Sequence, residues 1–370
     1  MRRALVLSAL LAAGPARAES PARPPAKPVD LLIVVDTASD AKPLRDDLVA
    51  RLPAFVTELG QAFPGDWSEP GIDLHVAVAS AADGALLVAP ADCAAAAGDA
   101  YIVYASGQYG GATQNFTGTL ADAIACAIPR ETSAADTPKP LASMRSLLDG
   151  DTHGFLRADA SLAILVVTSR DDCSGGAGLD AFACAEAAWS CTPALDATPG
   201  DRACGLRLGG GLATIEDAIT WARGLEVSSA RIALGVYRAA PRTIQVAAGP
   251  SIDPACERAA TPAWRLDAFA KAVPATWTGD ACGTDGLAGF AFTIEAATYP
   301  IPTTPGMDAG ISCDGGYYPG EDPPHGHDTI GCGGCASGGD AAGGLLLAAL
   351  VLTRFSPSRR YRGSRARAAG

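Results

Sequence analysis

The sequence predicts an α/β fold: a doubly wound, mostly parallel sheet flanked by helices, with disulfide-rich loops. Three observations predict it. The runs VDLLIVVD (29–36) and SLAILVV (161–167) are apolar on both faces, as strands buried between two helical layers are. Stretches with apolar residues three or four apart alternate with such runs along the chain, which is the order of a sheet wound with crossover helices. Nine of the eleven cysteines fall in the body, and no C-x-x-C…C-x-x-C zinc pattern occurs among them, so they read as a disulfide framework.

Each element follows in chain order. Residues 19–28 form a Pro/Ala linker without periodicity. After the first strand, Leu44, Leu48, Leu52, Phe55 and Leu59 set a helical spacing, with Pro43 in the first turn and Pro53 predicting a kink. DLHVAVAS (73–80) is a second strand. Helical character returns at 116–128 and at 140–148, where Leu141, Met144 and Leu148 share a face. The stretch 161–174 is a β-rich run that ends on small and acidic residues. The Gly- and Cys-rich stretch 175–211 reads as a long loop, stapled by Cys173, Cys184, Cys191 and Cys204. A helix (212–225), a strand (230–238) and a helix (263–273) follow, and 286–297 reads as a last helix in preference to a strand. In such a sheet ligands bind outside the carboxyl ends of the strands, where Asp36 and the stretch Thr168–Asp172 fall.

The ends of the chain have their own character. Arg2 and Arg3, an apolar run and Ala16-Arg17-Ala18 read as a secretory signal cut after Ala18. Residues 301–331 form a linker rich in Gly, Pro and Asp. Cys332 and Cys335 follow, then a short apolar run, Ala341–Thr353, and six arginines up to Arg367. That run is short for a spanning helix, and the arginines hold its end on the cytoplasmic side, as in a transient processing signal. The net charge is −12 over the 370 residues; without the arginines of the signal and the tail it is about −20, which excludes nucleic acid and anionic lipid as partners of the body.

The stretches VDLLIVVDTASD, IDLHVAVAS, FTGTLADAIACAI, TPKPLASMRSLL, GFLRADASLAILVVTSRDDCS and ARIALGVYR together resemble a divergent von Willebrand factor A-type domain of the kind found in secreted myxobacterial proteins, spanning about 29–300. The order Cys motif, short hydrophobic segment and Arg cluster over 332–370 resembles the myxobacterial C-terminal sorting signal. The second resemblance implies export, cleavage by a sorting protease and attachment to the cell envelope through Cys332 or Cys335.

The first resemblance implies a metal-ion-dependent adhesion site, built in the family from Asp-x-Ser-x-Ser, a Thr and a later Asp that supply oxygens to a hard cation. Here the first motif reads Asp36, Ala38 and Asp40, and Ala38 has no oxygen to give. The later Asp maps near Ser169, with Asp171 and Asp172 two or three residues on, and Thr132, Ser133 and Thr137 are candidates for the Thr. The site is degenerate. One reading keeps Mg²⁺ or Ca²⁺ on Asp36, Asp40 and Asp171; the other makes Asp36 and Asp40 turn and N-cap residues.

Other motifs carry less. Glu321, Asp322, His325, His327 and Asp328 are either a Zn²⁺ or Cu²⁺ cluster or a solvated linker. Gly209–Gly211 reads as a loop hinge, and the sequon at Asn115 as chance in a bacterial surface protein. With four histidines and no G-x-S-x-G elbow, catalysis has little to stand on. The sequence therefore favours a non-enzymatic surface module that binds a protein or polysaccharide. Behind it stand an exported hydrolase and a purely structural envelope protein.

Overall fold

The first apolar run becomes the centre of the sheet. Strand β1 (Val29–Val35) is buried along its whole length and lies parallel to β2 (Asp73–Ser80) on one side and β5 (Ser161–Val167) on the other. Its register pairs Leu32 with Ala77 and with Ile164. Beyond β5 the sheet continues in parallel with β8 (Ile232–Arg238) and β10 (Thr276–Asp280). Beyond β2 it ends in an antiparallel hairpin, β3 (Ile102–Ser106) and β4 (Ala112–Gln114). The strand order is β10-β8-β5-β1-β2-β3-β4, so the predicted mixed α/β sheet is present. This computed structural model describes residues 28–298 apart from 64–70, 91–92, 94–99, 107–111, 131–136, 151, 226–231, 259–260, 274–275 and 285. The chain divides into two compact units, Met1–Thr303 and Thr304–Gly370, and every described residue belongs to the first.

Alternation along β1 assigns its two faces. Leu31, Ile33 and Val35 pack under α1 (Lys42–Ala62), α2 (Leu120–Ala127) and α7 (Ala288–Thr298), through Leu48, Phe55, Ile124 and Phe290. Leu32 and Val34 pack under α3 (Pro140–Leu148), α5 (Ile215–Leu225) and α6 (Trp264–Ala272), through Met144, Ala222 and Phe269. Two apolar layers on one sheet are what a run apolar on both faces requires. Pro53 lies inside α1, which remains one assigned helix from Lys42 to Ala62. The predicted helix at the end of the body is present as α7.

Several expectations need correction. The long loop of 175–211 contains α4 (Ala181–Ala188), β6 (Trp189–Thr192) and β7 (Gly200–Leu206). With β9 (Ile244–Val246), β6 and β7 form a separate antiparallel sheet in the order β6-β7-β9. β6 and β9 are short, and β7 carries Gly, Cys and charged residues, so no sustained apolar alternation marks them. Their order comes from a third cluster, Phe182, Trp189, Ile244, Val246 and Trp264, joined from distant segments. The hairpin β3–β4 and strand β10 were likewise not expected. Helix α5 starts at Ile215, not 212, because Thr214 Oγ1 accepts the Asp217 amide and fixes the start there. Asp30, in a strand read as wholly apolar, is buried and accepts from Arg157 at 2.6 Å (backbone) and 2.8 Å (Nε).

Cysteines pair as Cys93–Cys126, Cys173–Cys184, Cys191–Cys204 and Cys256–Cys282. Two of the four pairs lie within the segment that the sequence marked as stapled. The ninth body cysteine, Cys313, lies outside the described residues, as do Ala18, Thr132, Ser133, the 321–328 cluster, Cys332, Cys335 and the apolar run at 341–353. Among the described residues no helix is long and apolar enough to cross a membrane.

Candidate functional site

Strand β1 has β2 on one side and β5 on the other, so the chain order reverses across it and a crevice opens outside the carboxyl ends of β1 and β5. Asp36 stands at that point. Its amide donates to the Val167 carbonyl at 2.9 Å, which carries the sheet one residue further. Its Oδ1 accepts the Ala38 amide at 3.0 Å, closing an Asx turn, and its Oδ2 accepts the Ser169 hydroxyl at 2.7 Å. One carboxylate thus ties the β1 loop to the β5 loop. Burial pushes the Asp36 carboxyl above its ordinary range, while the Ser169 hydroxyl and the Ala38 amide hold it down.

Two guanidinium groups flank this turn. Arg45, from the first turn of α1, is buried and donates Nη1 to the Asp36 carbonyl (2.6 Å) and the Ala38 carbonyl (2.9 Å), and Nε to the Pro129 carbonyl (3.1 Å). Arg170, from the β5 loop, forms an ion pair with Asp40 through Nη2. Thr168 Oγ1 donates to the Arg170 carbonyl at 2.7 Å and tightens that loop. Neither acid of the turn caps α1: the residue preceding it is Ala41, with no side-chain cap.

The two acids that follow Arg170 face inward. Asp171 accepts from Trp189 Nε1 (2.8 Å) and from the amides of Asp172 (2.9 Å), Arg265 (3.0 Å to Oδ2) and Leu266 (3.3 Å). It therefore caps α6 and holds the indole of Trp189. Burial pushes its carboxyl up to about 6, against those donors. Asp172 accepts the Leu141 amide at the start of α3 (3.1 Å), the Ser174 hydroxyl (2.6 Å) and Arg265 Nη2 (3.1 Å). Thr137 gives its hydroxyl to the Leu179 carbonyl at 2.8 Å.

The expected metal trio is thus divided. Asp36 and Asp40 share one turn, but Asp171 points to α6. Among the described residues no group of three or more His, Cys, Asp or Glu is gathered as a metal would need. A divalent cation takes open oxygens. Here Ala38 has none, and the carboxylates of Asp36 and Asp171 are engaged by donors on both oxygens. Asp40 alone keeps a buried oxygen, Oδ1, without a hydrogen-bond partner, and one open oxygen beside the Arg170 guanidinium does not fit a divalent ion.

What the crevice does hold is a cavity of about 290 Å³. Asp40, Thr137, Arg170, Asp171, Ser251 and Thr261 supply its polar lining, Asp171 from its place against α6; Phe182, Trp189, Ile252 and Pro254 supply apolar wall. The walls come from the β5–α5 insert and from the segment after β9, and Cys173–Cys184 and Cys191–Cys204 pin the first of these. Trp189 packs edge-on to Trp264, with ring centroids 4.8 Å apart, which backs the wall. Neither described histidine lies here: His75 Nδ1 is 3.0 Å from the Phe155 carbonyl, and His153 lines a separate open depression with Asp83 and Ser146. Reading for metal ligands missed Arg45, Arg170, Trp189 and Ile252. Arg170 was in plain view between Ser169 and Asp171, and a basic residue inside an expected cation motif was the signal.

Asn115 is also engaged: its side chain donates to the Tyr101 carbonyl at 3.1 Å and accepts the Val103 amide at 2.8 Å. Gly210 is fixed by close approach, since a Cβ there would overlap the Ala187 carbonyl oxygen.

No family model matches this chain, and no curated protein matches it. Similar solved structures include the pilus adhesin SpaC from Lactobacillus rhamnosus GG in its open conformation, at 12% identity over 73% of this chain and 30% of that one, TM-score 0.33. Proximal thread matrix protein 1 from the mussel byssus is similar at 8% identity over 74% and 48% of the two chains, TM-score 0.32. A human COPII-coat protein is similar at 10% over 71% and 30%, TM-score 0.29. The chain spans less than half the length of each. Likenesses this distant say nothing about what this chain binds.

Proposed function

We propose that this chain is an exported, surface-anchored, non-enzymatic interaction protein of von Willebrand factor A-like build, which takes a protein or polysaccharide ligand in the crevice outside β1 and β5. The observation that carries this reading is the cavity of about 290 Å³ at the switch point of the sheet, with the Asp40–Arg170 pair as its polar anchor and apolar walls from disulfide-pinned inserts. Four disulfides fit an oxidising compartment, as export requires. Export after Ala18 and anchoring through Cys332 or Cys335 rest on the sequence alone. Among the described residues no histidine lines the crevice, the commonest general base of a hydrolase.

The test is binding of the labelled full chain to whole cells and to immobilised glycan and protein arrays. Ile252→Arg fills the apolar wall and Arg170→Glu reverses the anchor; each is expected to lower binding at least about tenfold, the loss of one good polar or apolar contact. Glu216→Gln, exposed on α5, should leave binding unchanged. Equal binding by all three variants would remove the crevice from the reading. Turnover on ester, peptide or glycoside panels would overturn its non-enzymatic half.

A further inference from the structure

The acids of the β1 turn are already neutralised from within the chain. Asp36 is fully buried and Asp40 is partly exposed at the cavity mouth. Arg45 lies behind them and Arg170 beside them, each in contact with the turn. Burial raises the Asp36 carboxyl and lowers the Arg45 guanidinium, and the opposite charges nearby, Arg170 for Asp36 and Asp36 with Asp40 for Arg45, act against it. The other acid close to Arg45, Asp46, is paired with Lys42 at 2.6 Å. Two carboxylates therefore face two guanidinium groups. A divalent ion placed among them would meet two fixed cations and find one open carboxylate oxygen, Asp40 Oδ1, with the other three already taken, at a cost that the low dielectric of a buried site enlarges.

We propose that Arg170 serves as an internal cation, so that this crevice works without a divalent metal ion and excludes one. Arginine suits the place. Its charge is permanent, its planar fork matches a carboxylate, and its donors beyond Nη2 remain to face a ligand's acceptors at the cavity mouth. Two departures from the family motif act together. The methyl of Ala38 withholds a hydroxyl ligand, and the guanidinium of Arg170 takes up Asp40. Restoring the first and removing the second should reopen the site to an ion. This inference concerns the ion alone and stands whether or not the crevice binds an adhesive ligand.

The experiment titrates Mn²⁺ into the full chain with its disulfides formed and follows free Mn²⁺ by electron paramagnetic resonance. Melting curves with Mg²⁺, Ca²⁺ and chelator accompany it. The wild type is expected to retain no Mn²⁺ and to melt at one temperature in all three conditions. The double variant Ala38→Ser/Arg170→Ser is expected to retain Mn²⁺ with an affinity at least tenfold above wild type, and to lose it when Asp36→Ala is added. Two results would overturn the proposal. One is Mn²⁺ retained by the wild type and lost in Asp36→Ala. The other is a double variant that matches wild type by circular dichroism and disulfide content yet takes up no ion. Should the double variant fail to fold, the wild-type titration and its Asp36→Ala control still decide the matter: retention at Asp36 sinks the proposal and no retention supports it.

Discussion

Asp171 does the work at one residue that three separate elements depend on. It caps α6, holds the Trp189 indole and steadies the β5 loop, all from a buried position. Its raised carboxyl has a consequence for stability. Between about pH 4 and about pH 6 the folded chain keeps a proton at Asp171 that the unfolded chain has given up, so this group's contribution to stability falls as pH rises through that window. At about 1.4 kcal/mol per unit the swing is about 3 kcal/mol. Asp171→Asn has no such titration. Urea unfolding at several pH values should show the variant gaining about 3 kcal/mol on wild type across that window, on top of a constant loss from the changed acceptor. A difference that does not vary with pH would assign Asp171 an ordinary carboxyl. Glycines give a second contrast. Gly210→Ala forces its Cβ into the Ala187 carbonyl and should unfold the insert, whereas Gly205 has open space at its Cβ and ordinary backbone angles. Gly205→Ala should change stability by less than about 1 kcal/mol in thermal melts, and in the favourable direction.

Among the elements, α2 shows how a short helix is started. Thr119 accepts the Asp122 amide at 3.1 Å and donates its hydroxyl to the Asp122 carboxylate at 2.7 Å. Thr119→Ala should cost about 1 kcal/mol, read as a lowered denaturation midpoint with unchanged slope. The small sheet depends on a different kind of support. Its strands bury little surface of their own, and Cys191–Cys204 spans 13 residues across β6 and β7. Replacing both cysteines by serine should destabilise the insert by about 2 to 4 kcal/mol. Amide exchange should then quicken in β7 while β1 keeps its protection. Equal quickening in both strands would mean that the insert and the main sheet unfold as one unit.

For the whole molecule, charge is the dominant long-range quantity. A chain at −12, with a more acidic body, repels itself, and added salt screens that repulsion. Melting temperature should therefore rise with NaCl, and MgCl₂ at matched ionic strength should add nothing further. A fall with NaCl would show that ion pairs such as Arg157–Asp30 and Arg265–Asp172 outweigh the net repulsion. An extra rise specific to Mg²⁺ would point to a bound ion.

Periodicity and local chemistry determined a good deal by themselves. The apolar runs at 29–35 and 161–167 had to be buried on both faces, and Leu44 to Leu59 had to be a helix, because side-chain spacing is a property of each segment alone. The cysteines marked an oxidised, stapled insert, though not which pairs would form. Only the tertiary structure decided the rest. Strands β6 and β9 are too short, and β7 too polar, to announce themselves, and they exist because Trp189, Trp264 and Ile244 meet from segments far apart in the chain. The candidate site followed the same division. Asp36 was legible as the end of a buried strand. That Arg170 would turn to Asp40, and that Asp171 would turn away to α6, depends on which elements lie beside the β5 loop, and the spacing of residues along a chain carries no record of that.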